Sequence, residues 1–474
     1  MPRDLTNSKL ALALRSFSPA DWRKFEAFIV SPYFNTNADV IAFFQALACF
    51  QPMFEATKEE VFNRAFPGTK FDARRTGHLM NYVLKLAEQF LAVNRLQQDP
   101  FLERRLQLLE YSERKLSKPY HFLLKKARKA LSDAPLSVQQ LHEAYQLAEI
   151  EMIHFSNQKV RRFDPSMQAV YDELNTYYYA QLLKYACGLL SWQLVVSGDF
   201  QLSATTRQVI ESITGEAGQP PLIRIYLSIY HTMSSSEEEN GRHFKDLLGF
   251  LAHHQDEVAA EEMQEIYLYA INFCARKVRM GEKGYAELVL QLYEEGINRK
   301  YLLTNGYLSH WTYTNVVKLG LMQERFNWTQ AFIHKYKEHL PPRFHDDAFF
   351  FNLAELEFSR RQYDKVLHAL QQVSFSDPYY NLGSRMILIK TFYELEETES
   401  MLSALASFTI FLKRDKGLSN AYQQTCLNFC KLLSQILRTG ANRKASELLQ
   451  QVQTVQPLAE RNWLLKTLQE QLSL

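Results

Sequence analysis

Glycine and proline, the two residues that most often interrupt regular structure, are scarce in this chain. There are 16 Gly and 15 Pro among 474 residues, against average usage of roughly 7% and 5%. Folds rich in sheets or loops need more of both residues at their turns. Helix-favouring Ala, Leu, Glu, Gln and Lys are plentiful, and no β-branched stretch alternates with a period of two. The composition therefore predicts an all-α fold with essentially no sheet.

An excess of charge of one sign is also missing. The formal net charge is +2, whereas nucleic-acid-binding domains usually carry a strong basic excess. The charge is nevertheless uneven along the chain. Residues 101–130 contain nine Lys/Arg and three Asp/Glu, and residues 232–265 contain two Lys/Arg and nine Asp/Glu. Both segments are interpreted first as solvated helix faces.

Long apolar runs and paired cysteines are absent from the sequence. No stretch approaches the roughly 18 apolar residues that a membrane span requires, so no membrane span is expected. Residues 1–17 lack the apolar region of a signal peptide. The five cysteines are odd in number and widely spread, which implies no disulfide framework. These features predict a cytoplasmic protein.

Motifs that carry chemistry are missing as well. Neither the G-x-x-x-x-G-K-[ST] nor the G-x-G-x-x-G phosphate-binding pattern occurs, and there is no G-x-S-x-G nucleophile elbow. His253 and His254 with Glu257 and Glu261 have the spacing of one helical face, which can hold a divalent ion. No further ligand pattern supports that site, so an exposed acidic helix is expected. The sequence predicts no enzyme, no cofactor and no metal.

Helix start signals are frequent in the first hundred residues. Thr57 with Glu60 forms a capping-box pattern, and Phe66-Pro67-Gly68 ends the helix that follows. Polar residues suited to N-caps precede four predicted helices: Ser18, Asn37, Thr57 and Asp72. We predict an N-terminal helical domain over residues 1–100 and a region of helical hairpins over residues 101–218.

A repeat organises the C-terminal part of the chain. Between about residues 307 and 413, apolar positions recur at an offset near 35: Leu353 with Leu388, Leu370 with Leu405, and Val373 with Phe408. A period of this size is typical of helix-turn-helix repeats, which bury their apolar faces only by stacking. Residues 219–474 are therefore predicted to form a helical repeat region, clearest at 307–413.

One unit of this repeat resembles the tetratricopeptide (TPR) consensus. The resemblance rests on an aromatic residue, a Leu-small pair, the start of the second helix, its inner face and a final proline: Phe350, Leu353-Ala354, Tyr363, Val366, Leu370, Val373 and Pro378. Glu357 stands where the consensus has Tyr, and Val366 is bulkier than the usual Ala. The resemblance implies an α-solenoid of helical hairpins, TPR-like in the C-terminal third.

The whole chain also resembles a family of uncharacterised helical proteins common in the Bacteroidota. Four segments carry this likeness: Ser31-Pro32-Tyr33-Phe34-Asn35, Phe66-Pro67-Gly68, Phe332–Pro341 and Tyr380–Leu395. The resemblance implies a fold and a cytoplasmic setting, and it implies no chemistry.

These expectations favour a non-enzymatic protein-interaction scaffold or adaptor with a protein or peptide partner. Stacked hairpins form concave surfaces that can hold a peptide or a partner helix. Asn352, Glu357 and Lys390 are the polar positions predicted to face such a groove. Tyr178, in the run Tyr177-Tyr178-Tyr179, is a candidate aromatic anchor.

Two alternatives remain open at this point. In the first, the protein is nucleic-acid-associated or regulatory and meets phosphates through a basic run: Lys125, Lys126, Arg128 and Lys129. In the second, it is an enzyme or metal protein without a recognisable motif. The sequence does not indicate the oligomeric state.

Overall fold

The computed structural model describes residues 5–159, 161–193, 201–215, 218–374, 377–415, 419–439 and 445–473. Within these ranges the chain is almost entirely helical, as the composition predicts. The chain forms two compact units, residues 1–178 and residues 179–474. This division lies at neither of the boundaries predicted from the sequence, near residues 100 and 218.

The described part of the first unit contains eight helices and the start of a ninth. In chain order they are α1 (Lys9–Arg15), α2 (Pro19–Ile29), α3 (Ala38–Ala48), α4 (Lys58–Ala65), α5 (Ala73–Gln98), α6 (Pro100–Glu113), α7 (Ser117–Ser132), α8 (Val138–Asn157) and α9 (Ser166–Gln193). Helix α9 continues into the second unit.

The caps predicted for the N-terminal helices are present. Ser18 and Asp21 form a reciprocal capping box at α2, and Thr57 and Glu60 form another at α4. These bonds satisfy backbone donors that the first turn of a helix leaves without partners. The starts of these helices are thus set by hydrogen bonds between residues three positions apart, which can be recognised in the sequence.

Helices α1 to α5 share one aromatic core. Phe17, Phe25 and Phe90 meet at centroid distances of 5.3 to 5.4 Å, and all three are buried. Burial of one such side chain stabilises the fold by roughly 1.5–3 kcal/mol. Helices α6, α7 and α8 pack around a second cluster, in which Leu108, Tyr120 and Leu124 are buried.

The second unit continues with helices that pack chiefly on their neighbours in sequence. They are α10 (Ala204–Gly215), α11 (Pro221–Ser234), α12 (Glu237–His254), α13 (Ala260–Arg279), α14 (Tyr285–Asn298), α15 (His310–Met322), α16 (Phe326–Lys335), α17 (His345–Ser359), α18 (Tyr363–Leu370), α19 (Pro378–Glu394), α20 (Thr398–Arg414), α21 (Asn420–Thr439), α22 (Ala445–Thr454) and α23 (Arg461–Ser473). Short 3-10 turns cover Lys337–His339 and Pro342–Phe344.

One small hairpin departs from the expectation of no sheet. Strands β1 (Leu303–Thr304) and β2 (Tyr307–Leu308) pair antiparallel. The turn between them is Asn305-Gly306, and both residues have positive φ, 53° and 82°. Asn-Gly is the strongest short signal for such a turn, because both central positions need the left-handed region. The dipeptide Asn305-Gly306 was therefore a sequence signal for this hairpin.

Several turns between helices are formed without glycine, which explains how a chain with little glycine contains so many turns. Glu324, Arg361 and Glu396 adopt positive φ of 55°, 59° and 61° at the ends of α15, α17 and α19. After each of them, an N–H donates to the carbonyl five residues earlier, from Arg325 to Gly320, Gln362 to Glu357 and Glu397 to Phe392. This is the Schellman arrangement, usually built on Gly. Charged residues take the glycine position here.

Alternate helices in this region also lie side by side. Helix α17 packs on α18 within a hairpin and on both α15 and α19, while α21 packs on α20, α22 and α23. Close contacts mark these seams. A Cβ on Gly383 of α19 would lie 2.6 Å from the Phe351 ring of α17. Helices α15, α17 and α19 are therefore held near enough for their side chains to form one surface.

Candidate functional site

Side chains of alternating charge lie on helices α15, α17 and α19 and just before α23. They are Lys318, Glu355, Lys390 and Glu460, and we call them the charged cluster. Each of the first three belongs to the first helix of a successive hairpin, and α17 packs on both of its neighbours in this set. The cluster thus exists because the hairpins place these helices adjacent to one another.

An ion pair forms the most buried part of the charged cluster. Lys390 Nζ lies 2.7 Å from Glu460 Oε2, with 5% of the Lys390 side chain and 28% of the Glu460 side chain exposed. The ammonium also lies 4.6 Å from the centroid of the Phe358 ring, within the range of a cation–π interaction. Burial opposes both charges. The attraction of Glu460 and Glu355 nevertheless raises the pKa of Lys390, and Lys390 lowers the pKa of Glu460.

Lys318 occupies the solvent-accessible part of the charged cluster. Its Nζ donates a hydrogen bond of 2.9 Å to the Tyr379 hydroxyl. Desolvation opposes its charge, but Tyr379, Glu355 and Glu460 together raise its pKa. The side chain is exposed and yet has enough protein around it to be partly desolvated.

Of the two carboxyl groups in the charged cluster, that of Glu355 is the one whose charged form is less favourable. Desolvation is the main cause of its raised pKa, with Glu460 acting in the same direction and Lys390 and Lys318 opposing it. Glu460, by contrast, has the close ammonium of Lys390. The two carboxyl groups therefore titrate in opposite directions from their ordinary values.

Aromatic side chains border the charged cluster. The Trp311 and Tyr379 rings meet edge to face at 4.7 Å, and 49% of Trp311 is exposed. On α23, Trp463 Nε1 donates to Glu394 Oε1 at 2.9 Å, and the Tyr363 hydroxyl donates to Glu394 Oε2 at 3.1 Å. Exposed aromatic residues beside fixed charges are typical of surfaces that bind proteins.

The chemistry of the charged cluster suits binding. A lysine nucleophile needs a lowered pKa, so that the free amine is present at neutral pH. The pKa values of Lys318 and Lys390 are both raised, so both side chains stay protonated. As ammonium groups they offer hydrogen bonds and charge to a ligand.

The structure places the three predicted groove residues in different surroundings. Lys390 lies in the charged cluster. Asn352 is completely buried, and its Nδ2 donates to Thr314 Oγ1 at 3.1 Å and to the Ala348 carbonyl at 2.7 Å. Glu357 is also buried, with Oε1 3.7 Å from Arg360 Nη1. Asn352 and Glu357 serve the packing of α17 and do not face solvent.

The basic run on α7 is exposed but partly engaged within the protein. Arg128 makes two contacts with the Glu151 carboxylate, including a hydrogen bond of 2.8 Å from Nε. Lys126 Nζ lies 5.1 Å from the centroid of the Phe122 ring. Lys125 and Lys129 are exposed on the same helix. One of the four cations is therefore neutralised before any phosphate could approach.

Tyr178 lies on α9 with 45% of its surface exposed. On the same helix Tyr171 and Leu174 are also exposed, at spacings of seven and four residues from Tyr178, so the three side chains share a face. Tyr177 instead stacks on His142 at 4.6 Å. Neighbouring rings thus have different surroundings, as the helical rotation of about 100° per residue requires.

The proposed histidine–carboxylate face does not assemble a metal centre. His254 Nδ1 lies 3.3 Å from Glu257 Oε2, while His253 Nδ1 contacts the Gly249 carbonyl at 2.7 Å. Across the ranges given above, no three His, Cys, Asp or Glu side chains are grouped to hold a metal ion. Among the same residues, none of the helices is long and apolar enough to cross a bilayer.

Sequence reasoning missed Lys318, Glu355, Tyr379 and Glu460. A signal for two of them was present, because Lys318, Glu355 and Lys390 follow one another at intervals of 37 and 35 residues, close to the period of the apolar repeat. Glu460 gives no comparable signal, because it lies 70 residues beyond Lys390 and outside the clear part of the repeat.

No protein-family model, curated protein or solved structure matches this chain. The resemblances to TPR repeats and to the Bacteroidota proteins therefore stay predictions, and the chemistry of the molecule has to be inferred from its own residues.

Proposed function

We propose that this chain is a non-enzymatic interaction protein, and that the face formed by α15, α17 and α19 receives a segment of a protein partner. The observation that supports this most strongly is the charged cluster. Lys318, Glu355 and Lys390 lie on the first helices of successive hairpins, and Glu460, just before α23, pairs with Lys390. Hydrogen-bonding groups beside partly exposed aromatic side chains provide affinity and direction for an incoming backbone.

The repeat belongs to the same proposal. In a TPR-like solenoid, the first helices of the hairpins line one continuous surface. Packing of α15, α17 and α19 side by side, and the Schellman turn recurring at Glu324, Arg361 and Glu396, support that arrangement. We place the protein in the cytoplasm, in keeping with its five free cysteines.

Lys318 is the residue on which the proposed contact depends most. Its ammonium has three donors, and Tyr379 accepts a hydrogen bond from it. Backbone carbonyls or an acidic side chain of the partner are suitable acceptors for its other donors. Lys390 has a different role, because its charge is already paired with Glu460. It contributes to the electrostatic potential of the surface and is not proposed to contact the partner.

Selection from a displayed library of random peptides tests the proposal. The purified full-length chain serves as bait, and enriched peptides are synthesised and titrated against variants by calorimetry. We expect Lys318→Gln to weaken the selected peptides about tenfold, which corresponds to roughly 1.4 kcal/mol for one charge-assisted contact. Lys365→Gln is the matched control, because Lys365 is an exposed lysine on α18, the second helix of a hairpin.

Peptides that bind both variants and the wild type equally would place the binding surface elsewhere. Failure to enrich any sequence over several rounds would contradict the peptide-binding function itself. The basic run supplies the competing interpretation, nucleic-acid association. Binding of a DNA or RNA duplex that weakens steeply with salt and is lost in Lys125→Gln/Lys129→Gln would favour it.

A further inference from the structure

A cavity lies in the first unit, far along the sequence from the charged cluster. It has a volume of about 220 Å³ and opens between α7, α8 and the start of α9. Leu131, Leu147 and Ala148 give it an apolar floor, and all three are buried. Arg128, Glu151 and Glu173 carry its charges. Apolar walls with a few polar groups are the usual composition of a small-ligand site.

Two of the three charged groups neutralise each other. Arg128 donates to both carboxylate oxygens of Glu151, with the Nε hydrogen bond at 2.8 Å. Paired contacts between a guanidinium and a carboxylate are the strongest of their kind. Arg128 is consequently unavailable to an anionic ligand without breaking this pair. The remaining charge of the cavity is that of Glu173.

Glu173 has neither a hydrogen-bond donor nor a cation as partner among the described residues, although its side chain is half-buried. Burial raises the pKa of its carboxyl group, and the neighbouring Asp172 acts in the same direction. A carboxylate removed from water without a partner is unfavourable. A cation at this position would restore the lost interaction.

The size and lining of the cavity restrict which cation fits. Sites for cofactors and drug-sized ligands occupy roughly 300–1,000 Å³, which is larger than this cavity. A metal ion prefers several oxygen ligands, and Glu173 supplies a single carboxylate not already paired. An ammonium group on a short alkyl chain meets both conditions, since the chain lies on apolar surface while the charged end reaches a carboxylate.

We propose that this cavity binds a primary ammonium group on a short alkyl chain, with Glu173 as its counter-ion and Leu131, Leu147 and Ala148 in contact with the chain. Two sources supply this chemistry: a lysine side chain of a partner protein, and a free alkylamine. None of the residues that line the cavity belongs to α15, α17 or α19, and the proposal does not depend on the function proposed for those helices.

Methyl NMR of the full-length chain tests the proposal with n-butylammonium chloride as the probe. Three alanines, Ala144, Ala148 and Ala169, line the cavity, and their methyl signals report directly on occupancy. We expect n-butylammonium to shift these signals saturably. The neutral analogue 1-butanol, which has nearly the same shape, is expected to bind at least tenfold more weakly.

Variants of adjacent carboxylates make the test specific. Glu173→Gln keeps the shape of the side chain and removes its charge, and we expect it to weaken n-butylammonium about tenfold while leaving 1-butanol unchanged. Asp172→Asn is the matched control, because Asp172 is exposed and does not line the cavity. Unchanged signals of core alanines elsewhere, such as Ala354, confirm that each variant is folded.

Each outcome decides the proposal. Equal binding of n-butylammonium and 1-butanol, equal binding by wild type and Glu173→Gln, or no shift of the three alanine signals would overturn it. A lysine-containing peptide that binds more tightly than n-butylammonium identifies a partner side chain as the source. The reverse order identifies a free amine.

Discussion

Lys390 and Glu460 form an ion pair at 2.7 Å although 70 residues separate them in the sequence. Most contacts of α19 are with α17, α18 and α20, its neighbours along the chain. The pair therefore joins α19 to the segment just before α23. Packing between helices that are adjacent in sequence does not provide such a connection. Because Lys390 is nearly inaccessible to solvent, its charge depends on the carboxylates around it.

Removal of the Lys390 charge should destabilise the second unit. In Lys390→Met the Glu460 carboxyl group loses its ion-pair partner and Glu355 loses the attraction of the ammonium, and breaking a buried pair in this way costs roughly 3 kcal/mol. The double variant Lys390→Met/Glu460→Gln should recover a large part of that loss, because no unpaired charge remains. Urea denaturation of the four proteins of this cycle measures the coupling.

Lys365→Met provides the comparison for that cycle, since Lys365 is exposed on α18 and its substitution should change stability by less than about 0.5 kcal/mol. If the effects of the two cluster substitutions were simply additive, the ion pair would contribute no coupling energy.

The pH dependence of stability should carry opposite contributions from Glu355 and Glu460. The pKa of Glu355 is raised from 4.5 by desolvation, so the folded state holds its proton more tightly than the unfolded state. Its contribution is present below pH 4.5 and is lost as the pH rises through the folded value. The pKa of Glu460 is lowered by Lys390 despite its burial, so its contribution is present above pH 4.5 and is lost as the pH falls.

Glu355→Gln separates these two effects. We expect this variant to lose less stability than the wild type as the pH rises above 4.5, and to keep the decline below pH 4.5 that Glu460 causes. Thermal unfolding measured on both sides of pH 4.5 is sufficient. Glu399→Gln, at an exposed position of α20, should follow the wild-type profile, and a Glu355→Gln profile that does the same would argue against a raised pKa.

The left-handed turn after α19 can be improved. Glu396 has φ of 61°, a conformation that costs a residue with a side chain roughly 1 kcal/mol and glycine almost nothing. Glu396→Gly should therefore stabilise the protein by about 0.5–1 kcal/mol.

Glu397→Gly is the natural counterpart, because Glu397 is the next residue and has φ of −79°. Glycine relieves no strain at a negative φ, so the same substitution should change stability by less than about 0.5 kcal/mol. Equal shifts of the midpoint of unfolding in the two variants would contradict the account of this turn.

Close approach of α17 and α19 makes Gly383 intolerant of a methyl group. A Cβ there would lie 2.6 Å from the Phe351 ring, which is fully buried. Gly383→Ala should cost about 1–3 kcal/mol through overpacking. Gly249→Ala on α12 has open space around its Cβ and should stabilise by about 0.5–1 kcal/mol, since alanine is the better helix former. Calorimetric melting of both variants gives the comparison.

Short-range chemistry is the part of the structure that the sequence allowed to be predicted. The N-cap at Ser18, the capping box at Thr57 and the helix that begins after Asp72 are all confirmed, because each depends on residues two or three positions apart. The all-helical character is confirmed for the same reason, since helices form from contacts between residues three and four positions apart.

Long-range placement was beyond sequence reasoning. Polarity suggested that Asn352 and Glu357 face a groove, but hydrogen bonds to Thr314 and Ala348 and a contact with Arg360 accompany their burial in the seams of α17. Glu460 joins the charged cluster only because the last helices fold near α19, and no local sequence pattern predicts that contact. The missed hairpin at Asn305-Gly306 had a clear signal, and it was overlooked because two strands of two residues each have no periodicity to read.

The packing of each helix in the second unit chiefly on its sequence neighbours has a consequence for cooperativity. When contacts are mainly between adjacent elements, free energy is distributed approximately as a chain of local couplings, and a helix can open without its distant neighbours. Hydrogen exchange in one helix would then report chiefly on that helix and the helices beside it. The Lys390–Glu460 pair and the bond from Trp463 to Glu394 add a longer-range coupling, because opening of α23 then costs part of the stability of α19.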